Sequence, residues 1–309
     1  MVITGGMDRV FYSVGNMGKA LSFYRDMVGM KVLAETILEP AEIARLWTLP
    51  EPTRAKAVFL KSELQDTIAE LIEFTPNSGK RIRSGARDLN WGIYDIAWFV
   101  KDIQHCYREG LAKGYEFVAP PVQYQPNWVP WQVKETVMLG PDDAALVLFE
   151  RMTDEARQYD RQYIRWNHSA FIVQSVAESR KFFCDFLGLD LRGEMDLPPG
   201  IVDRVLNIPP GTPCRGAFVE KKGTNTCIIE LLEMKMPGRS LAAVARPPNL
   251  GIFGYAFEVD SLDSALKSSV EAGHPVISGP VEIETPLHGT NRAAFIAGPH
   301  GAWIQLFER

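Results

Sequence analysis

Apolar and polar positions alternate along some stretches of the chain and recur every three to four residues in others. Residues 167–173 alternate as a half-buried strand does, with Ala170 and Ile172 on the face of His168. Ser175 follows as an N-cap, a helix is predicted to about 187, and Gly188 supplies a left-handed stop. Strands are predicted at 189–194, 215–221 and 226–232, with a short helix near 201–206 between the first two. The same order returns as a strand at 253–259, a helix at 262–272 stopped by Gly273, and strands at 277–283, 292–296 and 303–307. The N-terminal part reads alike: strands at 10–14 and 93–100 open two pieces, and helices at 18–28 and 103–113 follow. Asn16 and Asp102 suit their N-caps, and Gly29 and Gly114 their ends. A β-α-β-β-β unit is thus predicted four times.

Motifs repeat along with the pattern. Phe23-Tyr24-Arg25-Asp26-Met27-Val28-Gly29-Met30 returns at offset 159 as Phe182-Phe183-Cys184-Asp185-Phe186-Leu187-Gly188-Leu189. Glu70-Leu71-Ile72-Glu73 returns at offset 160 as Glu230-Leu231-Leu232-Glu233, and Leu148-Phe149-Glu150-Arg151 at offset 158 as Leu306-Phe307-Glu308-Arg309. Residues 43–47 and 202–206 also sit 159 apart. Near-constant offsets over half the chain indicate an internal duplication. A length of 309 residues fits two domains of about 150. Residues 152–163, charged and without apolar periodicity, read as the linker.

Composition narrows the function classes. Hydrophobic residues make up 46% and charged residues 23%, a globular balance able to bury two cores. With a net charge of −5 and no basic cluster, a nucleic-acid footprint is not expected. No apolar run approaches the roughly 20 residues that span a bilayer, and the first residues lack a signal-peptide pattern, so a cytoplasmic protein is expected. The four cysteines form no CxxC pair and read as reduced thiols. No phosphate loop, GxSxG elbow or nucleophilic Cys/His pairing is evident.

Paired units carrying these motifs resemble the vicinal oxygen chelate superfamily, which includes glyoxalase I, bleomycin- and fosfomycin-resistance proteins and extradiol dioxygenases. The matching stretches are 8–30, 70–74, 92–103, 167–189, 230–233, 251–262 and 298–308. The resemblance implies an α+β fold of four βαβββ modules paired into two cupped mixed-sheet domains. Consecutive modules would pair: about 7–75 with 91–151 in a domain 1–151, and about 164–235 with 250–309 in a domain 164–309. It also implies a ligand inside the cup and a metal held by four positions on the opening and closing strands. In the second half these are His168, Glu230, Gly254 and Gln305; in the first they are Arg9, Glu70, Asp95 and Val147, and both 9 to 95 and 168 to 254 span 86.

His168, Glu230 and Gln305 are residue types the family uses to ligate a divalent ion, with Fe, Zn, Mn, Ni and Co as candidates, and Gly254 departs from the pattern. His168 and Glu230 are the expected catalytic pair, acting directly or as metal ligands. A structural hydrogen bond between the two is the competing reading. Trp303, Phe307 and His288 are expected beside them as substrate-binding residues. Arg9 cannot ligate a metal and is expected to replace the cation, paired with Glu70 and Asp95 in a salt-bridged or substrate-binding first cup. Trp128 and Trp131, in an aromatic and proline-rich loop, could stack on a planar ligand, with a packed loop or a subunit contact as the competing reading. The expected activity is ring cleavage, isomerisation or lyase chemistry on a substrate with adjacent oxygens, located in the second half. Its rivals are a metal-free lyase or isomerase, and a sequestration protein of the bleomycin-resistance type. Expected partners are a small molecule and, as the protein partner considered, a second copy in a homodimer.

Overall fold

The computed structural model describes residues 3–85, 87–126 and 129–309. Module one contains β1 (Arg9–Ser13), α1 (Met17–Leu21), β2 (Lys31–Leu38), α2 (Pro40–Arg45), β3 (Arg54–Lys61) and β4 (Ile68–Thr75). Module two contains β5 (Gly92–Ile93), β6 (Asp95–Val100), α3 (Ile103–Ala112), β7 (Val122–Tyr124), β8 (Val133–Leu139) and β9 (Ala145–Arg151). Module three contains β10 (Tyr163–Val173), α4 (Val176–Arg180), β11 (Asp190–Leu197), α5 (Val202–Val205), β12 (Cys214–Glu220) and β13 (Ile228–Met234). Module four contains β14 (Gly251–Glu258), α6 (Leu262–Glu271), β15 (Val276–Thr285), β16 (Gly289–Ala297) and β17 (Trp303–Glu308).

Local chemistry sets the helix ends. The side chains of Asn16, Asp102 and Ser175 accept from the amides of Lys19, His105 and Glu178. Gly29, Gly114, Gly188 and Gly273 take φ between 81° and 84° just past their helices, where a Cβ would be strained. The repeated octapeptides give repeated structure: α1 and α4 each widen into a π turn, over Ser22–Met27 and Lys181–Phe186. The four cysteines are all free, and three are buried.

The strands form two curled mixed sheets, one of eight strands in the order β15-β16-β17-β14-β1-β4-β3-β2 and one of nine whose main path is β11-β12-β13-β10-β6-β9-β8-β7. Module one therefore shares a sheet with module four, and module two with module three. This corrects the expected pairing of consecutive modules. The seams are antiparallel: β1 pairs β14 with Phe11 opposite Gly254, and β10 pairs β6 with His168 opposite Ala97. The segment expected as a linker holds a short 3-10 helix, Asp154–Gln158, and runs directly into β10 at Tyr163. So short a connection brings module three alongside module two. A sequence offset identifies equivalent modules but is silent about which of them share hydrogen bonds.

One face of both sheets packs with the helices into a shared core that contains Tyr12, Trp98, Trp166, Phe171 and Tyr255. The opposite face of each sheet curls into a cup with its own apolar cluster. Gly254 lies at the seam of the first sheet, where a Cβ would stand 2.2 Å from the Trp303 carbonyl oxygen. The neighbouring strand's backbone cannot yield as a side-chain tip can. Gly254→Ala is expected to cost about 3 kcal/mol of stability, read by urea unfolding; a loss below about 1 kcal/mol would contradict the packing argument.

Candidate functional site

The two cups differ in what fills them. In the cup of modules one and four, Phe11 lies 5.5 Å from Trp47, 5.8 Å from Phe253 and 5.6 Å from Phe295 between ring centroids, and Trp303 lies 5.0 Å from Phe295. All five rings are buried. At offsets of 159 and 158, Phe11, Trp47, Phe295 and Trp303 correspond to Ala170, Leu206, Val137 and Ala145 in the other cup. Smaller side chains at equivalent places leave the cup of modules two and three open, with a cavity of about 650 Å³ lined by both modules. That size suits a small molecule.

The regrouping sorts the expected site residues into these two cups. His168 and Glu230 stay together because β10 and β13 are parallel neighbours within one module. His168 Nε2 lies 3.0 Å from Glu230 Oε2. Gln305 falls in the filled cup, where its Oε1 accepts from Arg9 Nη2 at 2.5 Å. It is therefore apart from His168, which corrects the three-residue set. Arg9 pairs with Glu70 at 3.2 Å as expected, but its other carboxylate partner is Asp8, at 3.5 Å, and not Asp95. Asp95 lines the open cup instead. Trp303 and Phe307 are buried in the filled cup, and His288 stacks on Phe307 at 5.4 Å with Nε2 3.3 Å from Asp8. These three are therefore distant from the His168–Glu230 pair. Trp131 lines the open cavity, with the Arg151 guanidinium 5.6 Å from its ring centroid. Trp128 lies outside the described residues.

Around His168 the walls are aromatic. Phe149 stacks at 6.1 Å and Phe218 meets the ring edge-on at 5.7 Å. Asn167 Nδ2 is 3.0 Å from His168 Nδ1. With the amide donating to Nδ1, the imidazole proton is assigned to Nε2, facing Glu230. Burial opposes the charged ring, but the hydrogen bond and charge of Glu230 outweigh it and raise the His168 pKa. Two further carboxyls line the cup. Asp95 is pushed up to about 7 by burial, and its Oδ1 accepts from the Ala170 amide at 3.3 Å. Glu135 is also pushed up to about 7 by burial and accepts a hydrogen bond from the Tyr124 hydroxyl. Sequence reasoning missed Glu135, although its position between Val133 and Val137 in an alternating strand was a signal: an acid on a face of cup-lining valines.

His168 and Glu230 are spaced as two ligands of one ion could be, but the donor set goes no further. Val147 offers no donor, Asp95 is engaged by backbone, and no three His, Cys, Asp or Glu side chains among the described residues converge to hold an ion. The residues do not fit a transition-metal site of three or four protein ligands.

Comparison with known proteins agrees with this architecture. The family model of the Glyoxalase/Bleomycin resistance protein/Dioxygenase superfamily matches residues 6–127 and 165–306. The chain belongs to that superfamily. Glyoxalase I from Zea mays has a similar fold, at TM-score 0.65 and 16% identity, covering 98% of this chain and 92% of the maize chain. A protein of Bacillus subtilis subsp. subtilis str. 168 described as a dioxygenase superposes at TM-score 0.60 with 12% identity, covering 100% of this chain and 86% of its own. No curated protein matches the sequence. No helix among the described residues is long and apolar enough to cross a membrane.

The charge states of this superfamily member imply a pH trend. Asp95 and Glu135 in the open cup, and Glu42 and Glu70 in the filled one, are each raised to about 7, with burial as the first cause. Between about pH 4 and 7 the folded chain keeps protons that the unfolded chain has released, so stability falls as pH rises. The raised His168 acts in the same direction, since its contribution is present below the ordinary imidazole pKa and lost above the raised one. Lowered carboxyls such as Asp8 and Glu233 lose their contribution only below the ordinary carboxylate range. A thermal midpoint several degrees higher at about pH 5.5 than at about pH 8 is expected, and Glu135→Gln should flatten the profile. A midpoint that rises over the same interval would contradict these assignments.

Proposed function

We propose that the chain is an enzyme of small-molecule metabolism that moves protons on a substrate with adjacent oxygens, in isomerase or lyase chemistry, with His168 and Glu230 as its acid–base pair. The observation that carries this reading is the 3.0 Å contact between the two at the wall of a 650 Å³ cavity. A buried imidazole oriented on one side by an amide and on the other by a carboxylate is suited to proton transfer. The Glu230 carboxylate takes the proton from the carbon beside a carbonyl. His168 gives the Nε2 proton to the carbonyl oxygen as negative charge develops there. Isomerisation is completed when Glu230 gives its proton to the former carbonyl carbon and His168 recovers a proton from the neighbouring hydroxyl, which becomes the new carbonyl. Elimination is completed when a group on the carbon next to the deprotonated one leaves with its bonding pair and takes the Glu230 proton, while the enol O–H proton returns to His168.

Of the activities expected from sequence, ring cleavage depends on a metal that the donor set does not favour, whereas proton transfer uses residues already in contact. The test is deuterium incorporation. The protein is incubated in D₂O with α-hydroxyketones and α-ketoaldehydes bearing one aromatic ring, and followed by mass spectrometry. Enzyme-dependent gain of one deuterium at the carbon beside the oxygens is expected. Absence of exchange across the set would refute the reading, as would a stoichiometric divalent ion that is lost in the His168→Gln protein.

A further inference from the structure

The lining of the open cavity is electrically divided. Its inner part carries Asp95, Glu135 and Glu230, while Arg151, Arg165 and Arg192 also line it and have no counterpart among those acids. Arg151 pairs with Glu155 at 3.0 Å and lies 5.0 Å over the Phe99 ring, which fixes its position. Arg192 pairs with Glu220 at 3.1 Å. Glu194, also on the lining, is engaged by Arg180 and Arg215. Arg165 has no ion pair or hydrogen bond among the described residues, yet it is half-buried at the cavity wall. Burial and the positive charge of Arg151 lower its pKa, with Glu155 and Tyr159 opposing them and Arg192 adding a smaller lowering. The guanidinium is thus a half-buried group at the cavity wall with no ion-pair or hydrogen-bond partner among the described residues.

Such a group implies an absent counter-charge. Arg151 and Arg192 each have an ion-pair partner, in Glu155 and Glu220, which leaves Arg165 as the lining arginine without one among the described residues. Arg165 lies on β10 three positions before His168, roughly 10 Å of strand. An anion placed instead beside His168 would meet the three inner carboxyls.

We propose that Arg165 is the binding site for the carboxylate of a monoanionic organic substrate, which enters with its anionic end held at the arginine-lined part of the cavity and its reacting end directed to His168. The planar fork of one arginine matches one carboxylate through two parallel hydrogen bonds. The proposal deepens the reading of the open cup as the reaction site and gives the class of substrate that site takes.

The test uses the whole protein and three probes titrated calorimetrically: 3-phenylpropanoate, its primary amide, and 3-phenylpropyl phosphate. The carboxylate is expected to bind about 10-fold tighter than the amide, with the preference weakening in salt. Arg165→Met should abolish the preference without changing the thermal midpoint, and Arg165→Lys should restore part of it. Equal binding of acid and amide, an undiminished preference in Arg165→Met, a phosphate bound about 10-fold tighter than the carboxylate, or no binding by any probe would each overturn the proposal. The carboxylate preference should survive in His168→Gln. Its persistence in a protein that exchanges no deuterium would leave the anion site standing and remove the proton-transfer reading; exchange without the preference would do the reverse.

Discussion

Arg9→Met is expected to lower the free energy of unfolding by about 3–5 kcal/mol while leaving ligand binding in the open cup unchanged. Arg9 is 1% exposed, and its guanidinium is the shared partner of Glu70, Asp8 and Gln305. It also lies 5.0 Å from the Phe307 ring centroid, so its removal takes away a cation–π contact along with the ion pairs. Methionine fills much of the same volume but leaves Glu70 and Gln305 buried without a donor. Glu70, already raised to about 7 chiefly by burial, can take up a proton when Arg9 is gone, which moves the cost toward the lower end. The loss should therefore be larger at about pH 8 than at about pH 5.5, and Arg9→Met/Glu70→Leu should recover part of it by removing the orphaned acid. Urea unfolding at both pH values reads the difference. A loss below about 1 kcal/mol, or a parallel loss of probe binding in the open cup, would show that the buried cluster is not a structural plug.

Part of that plug, the Arg9–Glu70 pair, was legible in the sequence. The βαβββ modules, the caps at Asn16, Asp102 and Ser175, and the glycine stops follow from local patterns, and local patterns survive any rearrangement of modules. The partnership of modules does not. It is decided by seams of hydrogen bonds between strands far apart in sequence, β1 with β14 and β10 with β6. Site residues whose proximity is internal to one module, His168 with Glu230 and Arg9 with Glu70, were therefore placed correctly relative to each other. Those whose proximity depended on the partner module, Gln305 and Asp95, were exchanged between cups. The signal that would have found the open cup was steric. Phe11, Trp47, Phe295 and Trp303 against Ala170, Leu206, Val137 and Ala145 is a difference in bulk at matched positions, readable once the offsets are known. Glu135 was legible in the same way, as an acid in register with cup-facing valines.

In the open cup, His168→Gln and Glu230→Gln are each expected to reduce the rate of proton exchange by about 10²–10⁴-fold, with much smaller effects on stability. Glutamine at 168 keeps a hydrogen-bond donor near Glu230 but cannot carry a labile proton at neutral pH. Glutamine at 230 keeps the shape and loses the base. Because Glu230 sets the protonation state of His168 across 3.0 Å, the effects should not multiply. The double variant should be no more than about 10-fold slower than the worse single one. The pH dependence separates the two roles. Removing Glu230 takes away the hydrogen bond and charge that raise the His168 pKa, so the imidazole resonance followed by NMR should titrate at lower pH in Glu230→Gln. If the His168 titration stays in place in that variant, or the two rate losses multiply, the groups act independently and the dyad is dismissed. A structural hydrogen bond alone would predict the opposite balance: a loss of stability in each variant and an exchange rate changed by less than about 10-fold.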